Sequence, residues 1–283
     1  MKFFLLSRIS PVFTLLLLFQ VPLWSAIEVA PLFSDHMVLQ RNMPVPVWGK
    51  AKPSEEITVS IGSRKAKTAT DINGHWKIHL AELKAGGPHE LKIETKDEKI
   101  IIRDVMVGEV WLCSGQSNME FPMKKSIDDA GNPAKGKNLP IRLFRMSKLH
   151  NMGGAPFTKE LKEKMDSGIF FHQPFWQECN AETAADFSAV AYYFGQVLAD
   201  SLQVPIGLIQ NAVGGSPIQS WISKEAFLSH PQLRYFVEFE EGENWMDLAN
   251  INPWLAQRAK QNMGIEYAEK ETNASTGHPF APT

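Results

Sequence analysis

The feature that most constrains the fold is residues 105–123, V-M-V-G-E-V-W-L-C-S-G-Q-S-N-M-E-F-P-M. Its first nine residues are almost continuously apolar, the mark of a strand covered on both faces rather than of a half-exposed strand, which alternates. A central parallel strand is expected. Ser114, Gly115, Gln116, Ser117 and Asn118 follow directly, small or polar residues that permit a tight turn and expose a hydroxyl at the strand's carboxyl end. In open α/β sheets ligands bind at that edge. Ser117 is the candidate nucleophile. It needs a base to take its proton and backbone N–H groups to receive the oxyanion, and a helix beginning beside it would add a favourable dipole.

G-Q-S-N alone fills many ordinary turns, and the nucleophile elbow G-x-S-x-G would need Gly where Met119 stands. The longer phrase E-V-W-L-C-S-G-Q-S-N-M resembles the first motif block of the sialate O-acetylesterase branch of the SGNH (GDSL-like) esterases. That resemblance implies that Ser117 attacks an acetyl ester and that its own amide helps to form the oxyanion hole.

Further along, Val190, Phe194, Val197, Leu198 and Leu202 recur at helical spacing over residues 187–202, predicting a helix with this stripe in the core and Asp186 as its cap. A strand over 206–210 and the turn N-A-V-G-G-S-P-I follow, so the order reads as a βαβ-type α/β sheet. Gly214 and Gly215 suit an oxyanion hole, because glycine lets a substrate carbonyl approach a bare amide; tight packing is their alternative use. The phrases F-S-A-V-A-Y-Y-F-G, V-P-I-G-L-I and G-G-S-P-I-Q-S-W resemble the same family, as does L-F-S-D-H-M-V-L-Q-R at 32–41. The resemblance implies the oxyanion role for Gly215, with Gly214 as its neighbour. It also implies a flavodoxin-like SGNH-hydrolase parallel sheet with helices on both faces.

Residues 1–26 read as a secretory signal, with Lys2 and Arg8 before an apolar core at 12–21 and Ser25 and Ala26 near a cleavage point. Bulky Trp24 beside the cut leaves an uncleaved anchor as the alternative. The expected location is secreted or periplasmic, with no membrane attachment after cleavage. A net charge of −2 lacks the basic excess of a nucleic-acid binder. The two cysteines, Cys113 and Cys179, make no disulfide framework; one bridge or two buried thiols both fit.

Over 27–104 the pattern turns to period two: Ile57, Val59 and Ile61, then Trp76, Ile78 and Leu80, then Leu91 and Ile93, with Asn73-Gly74 at a hairpin turn. A small β-sandwich domain is expected there, before an esterase domain over 105–283. Asp35 and His36 tempt as an acid/base pair, but neighbours on a strand point to opposite faces. Residues 224–272 read as a helical insertion whose Tyr235, Trp245 and Trp254 serve packing or sugar stacking. No H-E-x-x-H or C-x-x-C occurs, so neither a metal nor another cofactor is expected. Asn273-Ala274-Ser275 matches a glycosylation sequon.

The resemblance also implies a base in a D-x-x-H block, and here His230 and His278 are preceded three residues earlier by Phe227 and Ser275. G-H-P-F-A-P-T resembles the lead into a Q-G-E-S-N block whose Gln completes the oxyanion hole. The chain is thus expected to be cut short of both blocks and its sheet to be incomplete at the carboxyl end. Two function classes remain: an esterase acting on acetylated carbohydrate, with sialic acid or acetylxylan as substrate, and a non-catalytic glycan-binding or structural protein on an esterase frame.

Overall fold

The computed structural model describes residues 27–126, 140–149, 158–167, 169–216 and 218–234. The signal segment, most of the helical insertion, the sequon, His150 and His278 lie outside them. Seven strands come first: β1 (Glu28–Val29), β2 (Val38–Gln40), β3 (Val45–Lys50), β4 (Glu56–Ile61), β5 (Arg64–Ala69), β6 (His75–Leu80) and β7 (Gly86–Glu94). Then come β8 (Lys99–Gly115), the helical turn α1 (Ser117–Glu120), β9 (Ile141–Arg145), α2 (Lys159–Asp166), β10 (Trp176–Glu178), α3 (Ala181–Ala185), α4 (Ala189–Leu202), β11 (Ile206–Ala212) and α5 (Lys224–Ser229).

Period-two patterning produces what it should in the first strands. β6 buries Trp76, Ile78 and Leu80 and exposes His75, Lys77 and His79 between them. The turn into it is set by Asp71, whose Oδ1 accepts the N–H groups of Asn73 and His75 at 2.8 Å, and by Gly74 at φ +77. β1, β3 and β6 form one sheet, and its Val45, Val47, Trp76 and Ile78 share a core with Ile57, Val59, Leu91 and Ile93 of the other.

The larger sheet runs β10-β9-β11-β8-β7-β4-β5, with β2 also paired to β8. It is a mixed sheet, which corrects the expectation of an all-parallel one. β11 lies parallel between β9 and β8, and β2 is parallel to β8, but β7 and β10 run antiparallel to their neighbours. The cause is the length of β8. Its residues up to Val107 pair with β7, whereas Glu109 to Gly115 pair with β11, so one 17-residue strand serves both halves of the sheet. It continues past the position between Asp104 and Val105, with an irregularity there: Asp104 sits at φ +52 and the pairing with β7 shifts register between His89 and Leu91. The halves are also stitched elsewhere, since Trp176 of β10 donates its indole N–H to the Leu32 carbonyl at 2.8 Å and sits in the core of the first strands. Gly207 admits this contact: a Cβ there would lie 2.8 Å from Val38 and 3.0 Å from the Trp176 ring.

α4 begins differently from the expectation. Its cap is Ser188, whose hydroxyl accepts the Ala191 N–H at 3.1 Å, while Asp186 ends α3 and pairs with Lys124. Most of the expected stripe also faces outward: Val190, Phe194, Val197 and Leu202 are exposed, Leu198 is half-buried against the core, and Ala191, Tyr192, Gly195 and Ala199 are buried. Small residues win the sheet-facing side because the helix packs closely there: a Cβ on Gly195 would come within 2.6 Å of Leu208. Coverage of β8 is likewise uneven. Cys113 packs with the α4 residues, but Leu112, on the opposite face, is 65% exposed.

Candidate active site

Ser117 stands where the sequence places it, two residues past the end of the β8 strand. Gly115 ends the strand at φ +146, Gln116 caps the next turn, and Ser117 is the first residue of α1. That turn is four residues long, so the dipole expected of a following helix is that of a single turn. The Ser117 hydroxyl is exposed and donates to Gln116 Oε1 at 2.9 Å, and the Ser117 amide donates to the same oxygen at 3.2 Å.

The glycine turn arrives from the neighbouring strand. β11 is in register with β8 up to Ala212 opposite Gly115, and the Val213 amide then donates to the Gly115 carbonyl at 3.0 Å. This brings Gly214 against the serine: a Cβ on Gly214 would lie 3.5 Å from Ser117 Cα and 3.6 Å from Ser117 Cβ. Gly215 follows at φ +84, left-handed backbone that favours glycine. Ser216 closes the turn, its hydroxyl donating to the Val213 carbonyl at 2.7 Å and accepting the Trp221 indole N–H at 2.9 Å.

One acidic residue in this arrangement had no role on sequence grounds. Glu120 Oε2 accepts the Gly214 amide at 2.7 Å, and Glu120 Oε1 lies 2.9 Å from Lys148 Nζ. The Gly214 N–H is therefore engaged, whereas the Gly215 N–H has no acceptor among the described residues. S-N-M-E has the spacing of a capping box, in which the glutamate turns back on its own helix. Here the carboxylate reaches across to the adjacent strand instead, and only the fold reveals it.

The segment behind Ser117 is anchored on α4. Met123 N–H donates to the Phe187 carbonyl and Ala189 N–H to the Phe121 carbonyl, both at 2.9 Å, while buried Gln210 accepts the Ser188 N–H at 2.8 Å. Neither cysteine is a rival nucleophile. Both are free thiols, and burial pushes Cys113 and Cys179 each up to about 11, so at neutral pH they stay protonated. No His ring nitrogen among the described residues is hydrogen-bonded to Ser117.

Asp35 and His36 do not act as a pair. Asp35 accepts the Arg103 amide at 2.6 Å, and His36 Nδ1 lies 2.7 Å from Asp104 Oδ2. Asp104 and Glu178 in turn hold Arg142 Nη2 at 2.9 and 3.1 Å. His36, Asp104 and Glu178 come within 4.8 Å of one another, but the guanidinium already supplies the cation between the two carboxylates. This cluster lies on the amino-terminal half of β8, roughly 35 Å along the strand from Gly115 at about 3.3 Å per residue.

Comparison with known proteins decides the family. The profile described as "Carbohydrate esterase, sialic acid-specific acetylesterase" matches residues 107–236, which contain Ser117, Glu120 and both glycines. The chain belongs to the sialate O-acetylesterase family of carbohydrate esterases. It is similar to the sialate O-acetylesterase of Homo sapiens, 30% identical over 208 residues that make up 69% of this chain and 38% of that protein. The sialate O-acetylesterase of Pongo abelii is 29% identical over 205 residues, with the same shares. Among solved structures, a carbohydrate acetylesterase from Xanthomonas citri superposes with a TM-score of 0.61 at 32% identity, covering 74% of this chain and 45% of that one. The chain thus spans less than half the length of the relatives it matches. No helix among the described residues is long and apolar enough to cross a membrane.

Proposed function

We propose that this chain is the nucleophile-bearing part of a secreted or periplasmic carbohydrate esterase that removes O-acetyl groups from sialic acid or a related glycan. The observation that carries the reading is the exposed Ser117 hydroxyl at the carboxyl end of a central strand, with the Gly214-Gly215 turn of the next strand in van der Waals reach. In this reading Ser117 Oγ attacks the acetyl carbonyl carbon, a base takes the hydroxyl proton, and the Gly215 amide receives the oxyanion, joined by the Ser117 amide once it leaves Gln116 Oε1. Collapse expels the sugar alkoxide, which regains a proton from the same base, and water then releases acetate from the acyl-serine. The parallel β9-β11-β8 portion corresponds to an SGNH sheet, residues 27–104 to a β-sandwich module before it, and residues 1–26 to the export signal.

The base in this reading comes from a D-x-x-H block beyond Thr283, and a further oxyanion donor from a Q-G-E block. General-base help is worth about 10²- to 10⁴-fold and one oxyanion donor about 10²-fold or more, so residues 1–283 alone should turn over at background. The test is acetate release from a chromogenic acetyl ester and an O-acetylated sialoside, measured on this chain and on the polypeptide continued through its downstream reading frame. Turnover is expected only in the longer form. Serine-dependent turnover by residues 1–283 at the rate of a full-length relative would show instead that a histidine of this chain, such as His36, His172 or His230, is the base. Glycan binding without hydrolysis by the longer form would favour the non-catalytic reading.

A further inference from the structure

We propose that Glu120 and Lys148 form a positioning pair for the oxyanion hole: Glu120 holds the glycine turn in place through the Gly214 amide, and Lys148 cancels the charge that this would bring to the site. The inference rests on the reading of Ser117 as nucleophile. Neither residue touches the reacting atoms, so both act through the turn.

The geometry runs as a closed circuit. Ser117 and Glu120 begin and end the same helical turn, and the Glu120 amide donates to the Gln116 carbonyl at 2.9 Å, which fixes the carboxylate's origin relative to the serine. From there Oε2 reaches Gly214 N at 2.7 Å, tying the β11 turn to the β8 turn by a charge-assisted hydrogen bond. With one amide of the turn committed, the next one, on Gly215, has no acceptor among the described residues and is left to serve a ligand. The space is made for this contact alone. A Cβ on Gly214 would lie 2.6 Å from Glu120 Oε2, so alanine would displace the carboxylate while meeting Ser117 only at ordinary contact distance.

A carboxylate one residue from an oxyanion donor is an odd choice, because it opposes the negative charge that develops on the substrate oxygen. Lys148 resolves this. Its ammonium lies 2.9 Å from Oε1, and the two side chains are 26% and 32% exposed, so the pair is partly withdrawn from water and its neutralisation is felt locally. Lys148 is itself held, since Leu149 N–H donates to the Phe170 carbonyl at 3.1 Å and His172 N–H to the Ser147 carbonyl at 2.8 Å on either side of it.

The roles separate in kinetics on the full-length polypeptide, with Ser117→Ala as the reference. Glu120→Ala should lower kcat by about 10- to 100-fold with KM within about threefold, a fraction of the loss caused by deleting a donor outright. Gly214→Ala should give the same split, because it expels the same carboxylate. Glu120→Gln keeps an acceptor for the Gly214 amide and should stay within about threefold of the parent. Lys148→Met should lose about tenfold in kcat by leaving the carboxylate bare, and the double variant Glu120→Gln/Lys148→Met should regain it. Unchanged kcat in Glu120→Ala, with Ser117→Ala inactive, overturns this inference and leaves the nucleophile standing. Activity surviving in Ser117→Ala overturns the function reading and the inference with it. A Lys148→Met loss that Glu120→Gln does not relieve overturns the charge argument. If Glu120→Ala fails to fold, the Gln and Lys148→Met variants still decide, because both keep the side-chain volume.

Discussion

The two halves of β8 collect polar groups in opposite ways. On the amino-terminal half, His36, Asp104, Arg142 and Glu178 are linked within 2.7 to 3.1 Å, and the Arg142 guanidinium is met by two carboxylates. At the carboxyl end the Ser117 hydroxyl stands exposed, bonded to the side chain of the residue before it, beside a glycine turn with one amide tied and the next without an acceptor among the described residues. By residue type the first cluster looks more like a catalytic centre, with its His, Asp and Glu. What separates them is pairing. The Arg142 guanidinium and the Asp104 and Glu178 carboxylates pair with one another and fasten β8 to β9, β10 and the loop before β2, whereas chemistry needs groups left poised for something that is not yet there.

The sharpest way to break this contrast is Ser117→Ala in the full-length polypeptide. Acetyl release should fall by about three orders of magnitude or more, leaving what binding and the oxyanion hole supply. Asp104→Ala in the same assay should leave kcat unchanged. A comparable loss in both would mean that the two ends are not separate in function.

Gly108 lies between them, and its substitution should damage both. A Cβ there would fall 1.8 Å from the Pro205 carbonyl oxygen, a backbone atom that cannot swing aside, and Glu109 N–H donates to that same oxygen at 2.9 Å. Gly108→Ala should cost about 3 kcal/mol of stability, read as a drop in the urea midpoint. Full stability in this variant would show that β8 is not the shared spine.

The ion network gives a smaller effect of a different kind. Arg142 is 13% exposed, and Asp104→Ala leaves its guanidinium with Glu178, itself 59% exposed, as its carboxylate partner among the described residues. About 2 kcal/mol of stability should go, below the usual cost of breaking a fully buried pair because Asp104 keeps partial access to water. Urea unfolding measures this, and a neutral result would remove the network's structural role.

Much of this was legible in the sequence, for identifiable reasons. Strands that bury one face announced themselves by alternation, as β6 did, and the place of Ser117 just past β8 was legible because small polar residues end a long apolar run. The α4 stripe misled, since Val190, Phe194 and Val197 have the spacing of a core face while the sheet selected Ala191, Gly195 and Ala199 for close approach. Hydrophobicity marks where a helix could bury area; closeness of packing is decided by the partner surface, here Leu208. Apolar continuity in β8 similarly predicted cover on both faces, and Leu112 lacks it. Long-range pairs such as Glu120 with Gly214, or His36 with Asp104, leave no mark in spacing because the residues meet only through strand register.

The smallest test separates charge from backbone within the first cluster. His36 sits at φ +68, left-handed backbone that costs a non-glycine residue about 1 kcal/mol or more, and its side chain is 44% exposed. Its bond to Asp104 is therefore partly open to water and contributes on the order of 0.5–1 kcal/mol. His36→Ala should lose that contribution and keep the backbone cost. His36→Gly should lose the same bond but relieve the strain, offset by the greater freedom of glycine in the unfolded chain, so it should be the more stable of the two by about 0.5 kcal/mol. Equilibrium urea unfolding of the pair reads the difference directly. Equal stabilities would mean that the left-handed turn is held without strain, whereas Gly falling below Ala would place His36 in a conformation that the loop does not require. Neither change should alter acetyl release, because Ser117 lies past the far end of β8 and no hydrogen bond among the described residues joins it to the cluster.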